Sequence, residues 1–179
     1  ITPEEELNLI EYALQLTVHS YGTPQFIYEV LVPEEIVTVC NIADSYGRLG
    51  NIEKALELLD NLIGMVCDET LQMNYPDGIV AMIKRNRIRW IGEQGKYLEA
   101  MRECNKAIEE CKKRSNANTL PGLFYARAYN LQKLKDSSPE WRDYDQKDID
   151  SNYVKCALLA KLFHDENGMK KAIAKLSHK

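Results

Sequence analysis

Hydrophobic residues along this chain recur at steps of three and four, and no stretch alternates long enough to read as a strand. The first such segment, "TPEEELNLIEYALQLTV", opens with a helix start: Thr2 as N-cap, Pro3 in the first turn, and Glu4 to Glu6 at the positive end of the macrodipole. Leu7, Ile10, Ala13 and Leu14 then share one face. Gly22 interrupts the pattern, and Pro24 to Leu31 holds at most a short helix. A second helix runs from Pro33 to Leu49, with Ile36, Val39, Ile42, Ala43 and Tyr46 in register. Gly50 ends it, and Ile52 to Val66 carries Ala55, Leu58, Leu59 and Leu62 inward.

After the polar break "CDETLQMNYPDG", helical spacing resumes from Ile79 to Gln94 and stops at Gly95. Tyr97 to Lys113 follows, with Leu98, Met101, Cys104, Ala107, Ile108 and Cys111 on one side. "RSNANTLPG" reads as a loop, Leu123 to Lys135 as helix, and the polar stretch from Asp136 to Trp141 as a break. A long helical stretch then reaches Phe163, and the tail from Asp165 forms one more helix. The pattern predicts an all-α chain of about nine helices joined mostly by short turns.

Two of these hairpins are copies. A shift of 45 residues places Gly50 on Gly95, Ala55 on Ala100, Leu59 on Cys104 and Asn41 on Asn86. The first unit reads Val39-x2-Ile42-Ala43-x2-Tyr46, then Ala55-x3-Leu59. This matches the tetratricopeptide (TPR) signature W-x2-L-G-x2-Y followed by A-x3-F. Small residues at Ala43 and Ala55 let the two helices approach closely, and the glycine supplies a left-handed turn. The second unit keeps Trp90, Gly95 and Ala100 but puts Lys84 and Arg87 where the pattern asks for apolar residues. In a fainter third unit Ala128, Leu131 and Leu134 match, while Lys135 replaces the turn glycine. The predicted fold is a TPR-like right-handed array of antiparallel helix pairs. Residues 1–32 form N-terminal helices, 33–66, 79–113 and 121–163 the pairs, and 165–179 a C-terminal helix of a single domain.

The bulk properties narrow the function. The 179 residues are enough for one domain or a short repeat array, and 45% hydrophobic with 28% charged residues describes a folded chain. A net charge of −4 disfavours phosphate-backbone binding by this segment itself. No apolar run is long enough for a membrane helix and no signal peptide is visible. Five cysteines without a CxxC pair read as reduced thiols of a cytoplasmic protein, and the three histidines lie far apart, so no metal or cofactor is expected. Nucleophile-elbow, phosphate-loop and HExxH motifs are absent, so no enzyme is expected. The acidic run Asp143, Asp145, Asp148 and Asp150 lacks the glycine and terminal glutamate of a calcium loop and fits a helix start.

In order along the chain come "PEEIVTVCNIADSYGRLGNIEKALELLDNLI", "NRIRWIGEQGKYLEAMRECNKAIEECKKR", "LFYARAYNLQKL" and "YVKCALLAKLFHDENGMKKAIAKL". Together they resemble the C-terminal TPR region of helix-turn-helix transcriptional regulators of Gram-positive bacteria, the family that includes quorum-sensing regulators of peptide pheromones. The resemblance spans nearly the whole chain. It implies a ligand-sensing and dimerisation domain, a short peptide as ligand, a homodimer, and DNA binding only through an N-terminal domain that this chain lacks. Residues 1 to 32 contain no helix, turn and basic helix of that kind, and the resemblance favours its removal. The alternative is a free-standing TPR adaptor that docks a protein segment.

In such peptide-binding relatives, asparagines on the inner helices hold the ligand backbone, which an amide suits as both donor and acceptor. Asn41 and Asn86 stand at the same repeat position. Asp44 or Ser45 and Arg89 lie one turn further along the same groove. Arg48 and Arg85 add charge for a peptide carboxylate. Tyr125 and Tyr129 form an aromatic wall in the third unit. A solvated basic face, and helix packing by the tyrosines, stand as competing explanations. The stretch "YVKCALLAKLF" spreads Tyr153, Cys156, Ala157, Leu159, Ala160 and Phe163 over more than one helical face, which suits a dimer surface or a buried helix.

Overall fold

The structure is a computed structural model that describes residues 1–67, 75–114, 117–137, 140 and 146–176. Every regular element among them is helical: α1 (Pro3–Thr17), α2 (Pro33–Arg48), α3 (Ile52–Cys67), α4 (Asp77–Glu93), α5 (Tyr97–Lys113), α6 (Leu120–Ser137), α7 (Gln146–Leu162) and α8 (Glu166–Leu176). The described residues thus hold eight α-helices where the periodicity predicts about nine. Pro24–Tyr28 is one 3₁₀ turn, started by the Thr23 side chain accepting from the Gln25 N–H. A second correction concerns "RSNANTLPG". Ala117–Thr119 is a 3₁₀ turn and α6 already begins at Leu120. Pro121 sits in the first turn of α6, where its missing N–H has no intrahelical partner to lose. Most of the "CDETLQMNYPDG" break and of the break before α7, with Asp143 and Asp145, lies outside the described residues. Asp148 and Asp150 fall near the start of α7. None of the described helices is long and apolar enough to cross a membrane.

The chain divides into two compact units, Ile1–Trp90 and Ile91–Lys179. In the first, α1 packs on α2, α2 on α3, and the Pro24–Tyr28 turn on α3. The Thr2 side chain accepts from the Glu5 N–H at 3.2 Å while Glu5 accepts from the Thr2 N–H at 2.8 Å, a capping box that starts α1. The core gathers Leu7 and Leu14 from α1, Ile36, Val39, Ile42 and Ala43 from α2, Ala55, Leu58, Leu59 and Leu62 from α3, and Ile83 and Trp90 from α4. Ala43 and Ala55 are both fully buried, as the signature requires of the close contact between the paired helices. Arg87, an exception in the apolar pattern, is half-buried and ion-pairs with Asp60 of α3.

In the second unit α5 packs on α6, α6 on α7, and α7 on α8. Its core holds Met101, Ala128, Leu131, Ile149, Tyr153, Cys156 and Ala172. Ala100 and Cys104, the repeat partners of Ala55 and Leu59, are again fully buried.

The turns repeat atom for atom. At the end of α2 the Gly50 N–H donates to Gly47 O (3.0 Å) and the Asn51 N–H to Tyr46 O (2.9 Å), with Gly50 at φ +89°. At the end of α4 the Gly95 N–H donates to Gly92 O (2.8 Å) and the Lys96 N–H to Ile91 O (3.2 Å), with Gly95 at φ +85°. This is the left-handed helix stop that glycine adopts without strain. The third copy is not at Lys135, which is helical, but at His164. There the His164 N–H donates to Lys161 O (3.3 Å) and the Asp165 N–H to Ala160 O (2.8 Å), with His164 at φ +58°. Histidine is among the non-glycine residues enriched in that conformation. Thus α7 and α8 form the third hairpin of this turn type.

Candidate functional site

Six of the eight predicted site residues lie on α2 and α4, in the first unit. Counted back from the turn glycines at 50 and 95, Asn41 and Asn86 stand nine residues away, and Asp44 and Arg89 six. The helical repeat therefore brings the predicted pairs to equivalent levels. Asp44 and Arg89 meet: Arg89 Nη1 lies 2.5 Å from Asp44 Oδ1. The other carboxylate oxygen of Asp44 takes Arg48 Nη2, also at 2.5 Å, one turn along α2. One half-buried carboxylate therefore organises two arginines.

Asn86 is half-buried and Asn41 exposed. The Asn86 side chain hydrogen-bonds the Cys40 thiol of α2, and its Oδ1 accepts from Arg85 Nη2 at 3.4 Å. Burial pushes the Cys40 thiol up to about 11, with Asn86 and Arg85 acting in the opposite direction. Cys40 thus stays protonated at neutral pH and serves as packing beneath the polar face. The α2–α4 face presents amides, guanidinium groups and the Asp44 carboxylate.

Tyr125 and Tyr129 lie on α6 in the second unit. Tyr125 is half-buried and meets Tyr153 edge-on, centroids 5.5 Å apart at 69°. Tyr129 hydrogen-bonds Glu93, and Lys133 Nζ stands 5.6 Å from its ring centroid. Burial first, then Glu93, pushes the Tyr129 hydroxyl up to about 12, so it remains a donor at any physiological pH.

Three residues beside the α2–α4 face carry no mark of a site neighbour in the sequence, although Trp90 stands in the repeat pattern. Trp90 packs against Gly47, where any Cβ would overlap the indole ring, and its ring lies 4.6 Å from the Arg89 guanidinium carbon. Glu11 of α1 accepts from both the Tyr46 hydroxyl (2.9 Å) and the Tyr21 hydroxyl (2.8 Å). This ties α1 to the C-terminal turn of α2, beside Asp44 and Arg48. Burial and the Glu11 carboxylate raise the Tyr46 hydroxyl to about 12 and Tyr21 higher still, so both remain donors. One signal for Gly47 was available. "GRLG" and "GEQG" place a glycine three residues before each turn glycine.

No protein-family model and no curated protein matches the sequence. Solved structures do match its backbone. Bacillus thuringiensis PlcR, in complex with the peptide PapR7 and DNA, superposes with a TM-score of 0.73 at 18% identity over 100% of this chain. A kinesin light chain-type protein of Podosopora anserina, with nearly identical TPR-like repeats, superposes with a TM-score of 0.50 at 12% identity over 99% of this chain and 90% of its own. The chain spans 55% of the length of the PlcR chain it matches. The fold is that of an all-α, TPR-like helical repeat protein.

Proposed function

We propose that this chain is the ligand-sensing and dimerisation domain of a transcriptional regulator, and that its ligand is a short peptide bound along the α2–α4 face. The observation that carries the reading is the recurrence of Asn41 with Asn86 and of Asp44 with Arg89 at equivalent levels of neighbouring helices. A peptide repeats its amide groups along its length, and each of the two side-chain amides offers the donor and the acceptor that such a group needs. The backbone likeness to PlcR over the whole chain supports the same reading. Tyr125 and Tyr129 lie in the second unit, where Tyr129 offers a ring and a hydroxyl of the amphipathic kind that ligand sites favour and Tyr125 packs against Tyr153.

Tyr153, Cys156 and Ala160, from the stretch read as a dimer surface or a buried helix, are buried in the second unit, so a dimer would use other residues of α7. Val154, Leu158 and Leu162 follow one another at four-residue steps along α7 and are 42%, 64% and 67% exposed. Ile173 of α8 is also exposed. A second copy of this face would remove that apolar stripe from water. Light scattering at tens of micromolar is expected to give the mass of a dimer, and Leu158→Glu that of a monomer.

The regulator reading is tested by a mobility-shift assay on the protein with its own upstream coding region, with and without peptide. A sequence-specific shift that changes with peptide supports it. A shift under no condition, together with stoichiometric capture of one cellular protein by this chain, replaces it with the TPR adaptor. Asn86→Ala is expected to weaken a bound peptide by about 1–3 kcal/mol, because a buried peptide group loses its partner. Calorimetry that registers no change removes Asn86 from the site.

A further inference from the structure

The α2–α4 face carries three guanidinium groups, those of Arg48, Arg85 and Arg89, and the carboxylate of Asp44 pairs with two of them. The whole chain has a net charge of −4, so this face is opposite in sign to the chain's net charge. Arg89 is held on two sides. Its guanidinium lies between the Trp90 ring at 4.6 Å and Asp44 Oδ1 at 2.5 Å, while the side chain is still 48% exposed. It meets Asp44 through Nη1, one corner of a fork with five N–H donors.

We propose that the peptide bound on this face is anionic where it meets α4, and that its carboxylate takes Arg89 in exchange for Asp44. Asp44 is then an internal competitor that occupies the arginine when no ligand is present. This proposal rests on the reading of the face as a peptide site. Its physical basis is that the exchange strands no charge. When Arg89 turns to the ligand, Asp44 keeps Arg48 on its other oxygen. A ligand carboxylate also offers the planar two-point contact that a guanidinium favours. Both pairs are partly exposed, so breaking the resting one is cheap, and discrimination comes from the geometry of the new one. The net charge of the chain disfavours an acidic peptide elsewhere, while the guanidinium groups of this face attract it.

The test uses the whole chain and four pools of heptapeptides built from uncharged residues. The pools carry Glu or Gln at the central position, and a free or amidated C-terminus. Fluorescence anisotropy is read for the wild type and for Asp44→Asn, Arg89→Gln and Arg89→Lys, each checked for a native helical spectrum. At least one carboxylate-bearing pool is expected to bind at least tenfold more tightly than the amidated Gln pool. The pool that does so distinguishes a side-chain carboxylate from a chain terminus. Asp44→Asn is expected to strengthen that pool about two- to fivefold, the scale of an exposed ion pair. Arg89→Gln is expected to erase the preference, and Arg89→Lys to restore only part of it. If Asp44→Asn fails to fold, the Arg89 variants decide. Equal binding of all four pools overturns the exchange and leaves the peptide site standing. Binding of no pool overturns both. Weaker binding to folded Asp44→Asn, or retention of a nucleic-acid oligonucleotide in preference to the acidic pools, also overturns the exchange.

Discussion

Gly47 and Gly92 occupy the same place in two repeats, three residues before the turn glycine, yet what they receive is opposite in chemistry. In the first unit a Cβ at Gly47 would overlap the ring of Trp90. In the second, a Cβ at Gly92 would overlap the side-chain amide of Asn130. Trp90 and Asn130 correspond in what they touch, each filling the space beside one of these glycines. They are 4% and 1% exposed, and Trp90 Nε1 and Asn130 Oδ1 are both buried without a protein hydrogen-bond partner. The backbone therefore offers a seat of fixed size in each unit, and the sequence fills it once for packing and once with a polar group. The indole adds apolar burial and a platform for Arg89. The amide secures its own helix by donating to Ala126 O at 2.8 Å.

The largest expected effect breaks this comparison directly. Trp90→Ala removes a large buried ring and leaves a cavity, and is expected to cost about 3–5 kcal/mol. Asn130→Ala removes a small side chain whose acceptor is unpartnered, and is expected to cost about 1 kcal/mol or less. Denaturant melts of the two variants measure the difference. Equal costs would mean that the second seat contributes to packing as much as the first.

Next in size are the seats themselves. Gly47→Ala is expected to destabilise by about 1–3 kcal/mol through overpacking against a rigid ring. Gly92→Ala is expected to cost less, about 1 kcal/mol, since the Asn130 amide can turn aside at the expense of its bond to Ala126. In a Trp90→Ala background the Gly47 penalty should vanish or reverse, because alanine is then only the better helix former. Additivity in that double-mutant cycle would show that the ring is not what reserves the position for glycine. Ala55 belongs to the same scale. Ala55→Leu, at a fully buried helix contact, is expected to cost about 1–3 kcal/mol.

These contrasts also show what the sequence could disclose. Ala43, Ala55, Gly50 and Gly95 were legible because the motif asks for residue types there, and small size or positive φ is encoded in the type itself. The end of the loop before α6 was not, because Pro121 signals a break in a sequence and is harmless in a first turn. The basic patch was visible as Arg48, Arg85 and Arg89. Its organisation by Asp44 and Trp90 was not, since it depends on which side chains face each other across two helices 45 residues apart. Glu11 lay in the middle of α1 with no motif to mark it, and only the fold brings Tyr21 and Tyr46 to it.

The smallest effects concern the turns. Gly50 and Gly95 adopt φ of +89° and +85°, and nothing within 4 Å would meet an added Cβ at either. Gly50→Ala therefore isolates backbone strain from packing, and is expected to destabilise by about 1–2 kcal/mol. His164 already bears that strain at φ +58°, in a turn with the same two hydrogen bonds. His164→Gly removes it but gives the unfolded chain more freedom, so the two terms partly offset. The net expected change is a stabilisation of under about 1 kcal/mol, opposite in sign to Gly50→Ala. Thermal melts of the two variants give the comparison. A destabilised His164→Gly protein would mean that the imidazole makes a contribution beyond the turn, and that the third hairpin is held by more than the geometry it shares with the first two.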